Sequence, residues 1–409
     1  MMLRVYVAAA AFLSSITLAE PAQAQMTGPP QPLPAEVLAD EVNPAIAAFL
    51  RANVVVRGPV AGGLAFDFPA AFYDSRLILL GESHGFAAPQ VLDLELLAHL
   101  NQRIGLTDYL AEVDPVQAEM LNAYLTSGDE AILDRVFDHW DRTGAQWGNT
   151  AFEAKVRGVL ALNEDLLVGR RVRFIGIDTI QDWSLLREWL VDRGTPVNAA
   201  AWDDADIRGK AALASNALGE PADLMGARLA DLLGRVGAGA TRETAIFDTY
   251  AYAIRSGEIG NRPTYGLWGL YHVMQGPIND TLPFAARVTR SDLPTATAVT
   301  SIVVLALDSA VHVPVPLPTG IQRMRLTEFN VDGPFVKVQG SDTLRAASDP
   351  NSIVVFNPGA ANSPIQPGDF TRVRTSVGQN FELDPDLPSS AYSQYFGVFR
   401  GSDWAPPRD

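Results

Sequence analysis

RLILLGESHG, residues 76–85, is where the fold becomes readable. Its first half is a short apolar run that ends on Gly81, the pattern of a buried strand. A helical pattern follows at 89–103, with Val91, Leu92, Leu94, Leu96, Leu97 and Leu100 apolar. The same pair of signals recurs downstream. DYLAEV (108–113) reads as a second strand, and a helix starts at Pro115, where proline suits a first helical turn. Helices fit 129–141 and 150–168, RVRFIGI (171–177) is a third strand, and 181–191 is another helix. Strand and helix in alternation mark a parallel sheet with crossover helices. The expected fold is therefore α/β, with a central mainly parallel sheet and flanking helices. Residues 199–257 are Ala- and Leu-rich without a strong strand, and read as a helical insertion. Strands resume at 263–268 and at 299–307, the most β-rich run in the chain, then at 321–328, 352–356 and 394–399.

The chain has 409 residues, 47% hydrophobic and 19% charged, a globular composition long enough to bury a substantial core. Its formal net charge is −16, and lysine occurs only at 155, 210 and 337. Nucleic-acid backbones and anionic membranes call for basic surface, so neither is an expected partner; a small-molecule substrate is. Cysteine is absent, which removes disulfides, thiolate ligands, cysteine nucleophiles and a lipobox anchor. Residues 1–24 read as a secretory signal, with Arg4, an apolar run from 5 to 19, and Ala22-Gln23-Ala24 as a cleavage site. That run is too short to span a bilayer comfortably. The expectation is an exported chain with no membrane anchor after signal cleavage, periplasmic if the source is Gram-negative. Residues 25–48 open Pro-rich and read as a flexible leader, leaving 49–409 as a single α/β catalytic domain.

Carboxylates fall at or just beyond the carboxyl ends of three successive predicted strands: Glu82, then Glu112 with Asp114, then Asp178. In open α/β sheets, ligands bind in the crevice outside those ends. Like charges gathered there need a cation among them, and His84 and His272 are the candidates. Each acid taken singly also suits a helix cap.

The segment GESHG (81–85) fits two patterns. As G-x-S-x-G it is the nucleophile elbow of serine hydrolases, with Ser83, Asp178 and His272 in that triad's chain order. Little chain precedes the strand, however, and it lacks the H-G-G-G stretch that supplies an oxyanion N–H. The other pattern is a strand followed by G-E-x-H. LILLGESHG, YLAEV with Glu112, FIGID with Asp178 and GLYH with His272 together resemble the erythromycin esterase/ChaN-like superfamily. That group is similar in turn to the TraB/Tiki proteins, with their G-T-x-H and G-x-x-H motifs. The resemblance spans residues 74–280 by motif order.

What the resemblance implies is an α/β hydrolase that cleaves an ester or amide bond with activated water. His84 would be the base, Glu82 its partner, and Glu112 and His272 a polar floor, with Asp178 beside them. Two departures matter. The macrolide esterases space their Glu and His one residue further apart, so the E-x-H form here is nearer the haem-binding ChaN-like proteins. The esterases' helical R-E-x-x-M-x-x-N motif is only echoed by RETAIFDT (242–249), which lacks its Met and Asn. A macrolide substrate is not implied.

The chemistry stands on its own terms. A neutral imidazole can take a proton from water, and a buried carboxylate fixes its tautomer. Two histidines among carboxylates would also suit Zn²⁺ or Mn²⁺, which generate hydroxide directly, so the cofactor is either none or a divalent metal. The competing functions are an exported haem- or metal-binding protein and a serine hydrolase using Ser83. Elsewhere, His99 reads as a packed polar residue, His139 as lying near a helix end, and His312 as a loop residue. Trp140, Trp147, Trp268 and Tyr271 are candidates to line a pocket. No G-x-x-x-x-G-K is present, which excludes a P-loop nucleotidase.

Overall fold

The computed structural model describes residues 31–195, 197–279, 281–317, 320–376, 383–384 and 386–408. The expected signal, 1–24, lies outside the described residues. Nine of the described strands form one sheet in the order β2-β1-β11-β13-β7-β3-β6-β4-β5. These are β1 (Val54–Pro59), β2 (Ala65–Phe66), β3 (Leu77–Glu82), β4 (Asp108–Ala111), β5 (Arg173–Gly176), β6 (Thr264–Gly269), β7 (Val299–Leu307), β11 (Ser352–Phe356) and β13 (Tyr395–Arg400). From β13 to β5 every neighbour is parallel, while β2, β1 and β11 add an antiparallel edge. A hairpin, β8 (Val311–Leu317) with β9 (Gly320–Leu326), and a short pair, β10 (Val336–Val338) with β12 (Val373–Thr375), stand apart from it.

Every residue of β3 and β6 is buried, as expected of parallel strands covered on both faces. On one face, Ile78, Leu80, Tyr109 and Phe174 pack with α2 (Ala88–Ile104), α3 (Pro115–Ser127), α4 (Glu130–Thr143), α5 (Thr150–Glu164) and α6 (Trp183–Asp192). On the other, Leu77, Leu79, Leu110 and Val303 meet α1 (Pro44–Ala52), α10 (Arg242–Arg255), α11 (Phe284–Thr289) and α12 (Ser341–Ala347). Between α6 and α10 come α7 (Ala199–Asp204), α8 (Ile207–Leu218) and α9 (Leu224–Gly237), so the stretch from 199 to 255 is helical. Its last helix is no outlying cap: Ile246 and Tyr250 of α10 sit in the second core.

Three expectations need correction. The leader is not flexible throughout 25–48. Leu33 N–H donates to Pro334 O, Asp40 accepts from Gly340 N–H, and α1 begins at Pro44 under an Asn43 side-chain cap. Ile46, Ala47 and Leu50 are buried, so this end is held by apolar packing that its Pro-rich start conceals. Strand β1 was not anticipated, because its pairing with β11 is made with the far end of the chain. His312 lies in β8 rather than in a loop; Pro314 and Pro316 read as breakers, yet an outlying two-stranded hairpin tolerates them.

Gly266 is fixed by close approach, since a Cβ there would fall against the Leu110 carbonyl oxygen of the neighbouring strand. Gly266→Ala should cost about 1–3 kcal/mol of overpacking. Urea unfolding within 0.5 kcal/mol of the parent, a surface-like effect, would contradict this. His312 is buried with neither ring nitrogen hydrogen-bonded, its ring edge-on to Trp404. Burial, with Arg323 nearby, lowers its pKa to about 4. Between its ordinary value of 6.5 and about 4, the unfolded chain takes a proton that the native state refuses. Stability therefore drains as pH falls through that window. His312→Phe should move the acid-unfolding midpoint to lower pH; an unmoved midpoint would assign the acid sensitivity to other groups.

Candidate active site

The five residues singled out in the sequence sit at the carboxyl edge of the parallel strands. Glu82 closes β3 and pairs in register with Gly269 at the end of β6, which brings the 269–272 turn against the 82–84 turn. Glu112 follows β4, and Asp178 lies two residues beyond β5. Glu82, His84, Glu112, Asp178 and His272 are all buried.

Glu112 is the hub. Its Oε2 accepts from Gly269 N–H at 2.6 Å and lies 3.6 Å from His84 Nε2. Its Oε1 accepts from Arg242 Nη2 at 2.8 Å and lies 3.4 Å from His272 Nε2. His84 Nδ1 faces Glu82 Oε1 at 3.2 Å, and Gln90 Nε2 donates to the same oxygen at 2.9 Å. His272 Nδ1 lies 2.7 Å from Glu243 Oε1. Gly269 lets these groups converge, since a Cβ there would stand 3.1 Å from His84 Nε2 and 3.6 Å from Glu112 Oε1.

The charges explain one another. Burial alone would lower the His84 pKa, but Glu112 and Glu82 together push it up to about 10. Burial and Arg242 oppose the charge on His272, and Glu243 with Glu112 outweighs them, raising that imidazole to about 9. Burial would raise Glu112, yet the two histidines hold it well below the carboxylate range. Glu82 moves the other way, raised by burial despite its bond to His84. Both imidazoles are thus cationic at neutral pH, which differs from the neutral His84 expected from sequence.

Asp178 has a different task from the histidines' partners. It accepts from Arg242 Nε at 3.0 Å and Nη2 at 2.6 Å, and from Thr179 N–H at 2.7 Å. It therefore anchors Arg242, which in turn grips Glu112. Arg242 and Glu243 open α10 and were not among the residues picked from sequence. The signal was present as the RETAIFDT echo, whose Arg-Glu pair supplies both of these side chains. Asp114, by contrast, is a helix cap, accepting from Val116 and Gln117 N–H at 2.9 Å.

The serine triad is not assembled. Ser83 makes no hydrogen bond to His84 or His272, and the Asp178 carboxylate is committed to Arg242 rather than to a histidine. A divalent metal fits poorly as well. The Arg242 guanidinium stands between Glu112 and Asp178 where a cation would sit, and among the described residues no three His, Asp or Glu side chains converge as ligands.

Over the hub lies a polar pocket of about 340 Å³, lined by His84, Glu112 and Arg242 and roofed by Trp140, Gln146 and Trp147. Trp147 meets the His84 ring edge-on, 5.7 Å between centroids. Of the other candidates, Trp268 is core, and the Tyr271 hydroxyl bonds Thr281. His139 is tied between Asp182 at 2.8 Å and Glu188 at 3.1 Å, and His99 bonds Tyr73 and stacks on Phe66.

Behind Glu82 is a second buried charge pair that sequence gave no sign of. Lys155 Nζ lies 2.9 Å from Asp93 Oδ2, both almost wholly buried, and Tyr109 Oη donates to the same oxygen at 2.6 Å. Asp93 stands one helical turn from Gln90 on α2, so one helix supports both sites. Lys155→Met should cost about 3–5 kcal/mol by leaving Asp93 unpaired, whereas Lys155→Met with Asp93→Leu should recover most of it. Chemical denaturation of the two variants decides this; a double variant no more stable than the single would refute it.

No protein-family profile matches the chain, and neither does any curated protein. Solved structures do. A succinoglycan biosynthesis protein superposes with a TM-score of 0.60 at 11% identity, over 89% of this chain and 98% of that one. An erythromycin esterase variant, EreC in its open conformation, gives 0.54 at 14% identity, over 81% and 92%. A Bacillus cereus protein gives 0.54 at 11% identity, over 89% and 98%. At these identities what is shared is the fold, and one of the chains that share it is an erythromycin esterase.

Proposed function

We propose that the chain is an exported hydrolase that cleaves an ester (or amide) bond of a small molecule with activated water. The observation that carries this is the state of His84. Its Nδ1 faces Glu82, while its Nε2, buried beside the polar pocket, stands 3.6 Å from Glu112 and makes no closer hydrogen bond. Glu82 thus fixes the tautomer, with N–H on Nδ1, and the Nε2 lone pair is left for a water proton once the imidazolium has lost its own. His84 would then pass that proton on to the leaving group, while His272, raised to about 9, stands 3.4 Å from Glu112 and holds that carboxylate ionised. Arg242, which lines the pocket, commits Nε and Nη2 to Glu112 and Asp178, and its remaining Nη1 would be the donor for a developing oxyanion. The fold shared with an erythromycin esterase supports the choice of an ester; the reading of 1–24 as a signal supports export.

Turnover of 4-nitrophenyl esters tests the reading. His84→Ala should lower kcat/KM by about 10²–10⁴, the usual worth of a positioned base. A variant within tenfold of the parent would sink it. Because the base must first lose a proton held at a pKa of about 10, kcat/KM should rise with pH on a limb well above 6.5. Glu82→Gln removes one of the anions that hold that proton, and should move the limb to lower pH. A limb near 6.5 in the parent, unmoved in Glu82→Gln, would mean that His84 does not titrate as described.

A further inference from the structure

The turns that build the polar pocket also wall a second compartment. Along 82–84 and 269–272, His84 and His272 face Glu112, whereas Ser83, Leu270 and Tyr271 face the opposite side of the sheet. There they close one end of an apolar cavity of about 120 Å³. Its walls come from β7, β13, the β10–β12 pair and α12, through Val303, Phe396, Val338 and Leu344, with Met274 and Phe370 added from loops. The partition is one backbone thick, since Ser83 and His84 are consecutive and their Cα atoms are about 3.8 Å apart.

Two features mark the cavity as a place for a ligand rather than a packing fault. It is close in size to the ~150 Å³ dry apolar cavity known to take up benzene. It also holds unused polar atoms: Thr371 is 2% exposed and its Oγ1 has no hydrogen-bond partner, and Thr375 Oγ1 is likewise unpartnered. A buried hydroxyl without a partner is costly, and a ligand atom would relieve it. Apolar walls with a few polar groups among them, Glu82 and Ser83 at the strand end and the Thr371 and Thr375 hydroxyls elsewhere, select an aryl or short alkyl group that carries a hydrogen-bonding substituent.

We propose that this cavity is a binding site for such a group and, resting on the hydrolase reading above, that the group is the acyl part of the ester cleaved beside His84. The polar remainder of the substrate would then cross the strand ends into the pocket under Trp147.

Calorimetric titration of the full protein with benzyl alcohol and with toluene tests the binding site without reference to activity. Both should bind the parent. Val303→Phe, which fills the cavity, should weaken both by about tenfold or more, within the range that a pocket change of this size produces. Thr371→Val keeps the shape, and should weaken benzyl alcohol while leaving toluene unchanged; it also carries the test if Val303→Phe fails to fold. No binding to the parent, or binding indifferent to both variants, overturns the site. For the substrate link, Val303→Phe should reduce kcat/KM for 4-nitrophenyl benzoate by about tenfold and leave 4-nitrophenyl acetate within about twofold. Equal effects on the two esters overturn the acyl assignment. If the parent turns over neither ester, the hydrolase reading and the acyl assignment fail together, and the titrations still decide the site.

Discussion

One buried carboxylate organises this site. Glu112 is taken out of water at the carboxyl edge of the sheet, which is unfavourable unless every lone pair is met. Gly269 N–H and Arg242 meet two of them, and two imidazoles approach the rest. Each partner is placed by a different element: β6, α10, the turn after β3 and the turn after β6. The requirement to satisfy one anion therefore fixes how three separate pieces of chain, 82–84, 242–243 and 269–272, must dock against the end of β4. The same anion sets the protonation of both histidines, so geometry and chemistry have a common cause.

Around that hub the molecule divides its solvation. Toward Trp147 the strand ends carry charged and amide groups; on the far face, the same turns present serine, leucine and tyrosine to an apolar space. The alternation of side chains at the ends of β3 and β6 is what sends neighbours such as Ser83 and His84 to opposite sides. Beneath the hub, Asp93 and Lys155 keep a further ion pair out of water. Such pairs add little net stability, so their worth lies in the arrangement they impose on α2 and α5.

Much of the fold was legible because parallel strands are apolar runs and their crossovers are amphipathic. Residues 299–307 and 352–356 were delimited correctly, and the other strands of the parallel sheet to within a few residues. What escaped reading was pairing made at a distance. Strand β1 depends on β11, some three hundred residues away, and β8 contains two prolines that local rules assign to a loop. The start of the chain misled for a similar reason: α1 is short, and only its contacts with α12 and the sheet make it part of the core.

For the site, the sequence by itself determined that Glu82, His84, Glu112, Asp178 and His272 would lie at one edge. A residue after a parallel strand can go nowhere else. It could not say which acid serves which base. The serine-triad pattern would have paired Asp178 with His272, and the tertiary structure gives it to Arg242 instead. Arg242 and Glu243 come from a helix more than sixty residues past Asp178 in the chain. Only the packing of α10 against the sheet brings their charges to Glu112 and His272. Strand periodicity is written locally, whereas charge pairing depends on distances of a few ångströms between parts of the chain that have no local reason to meet.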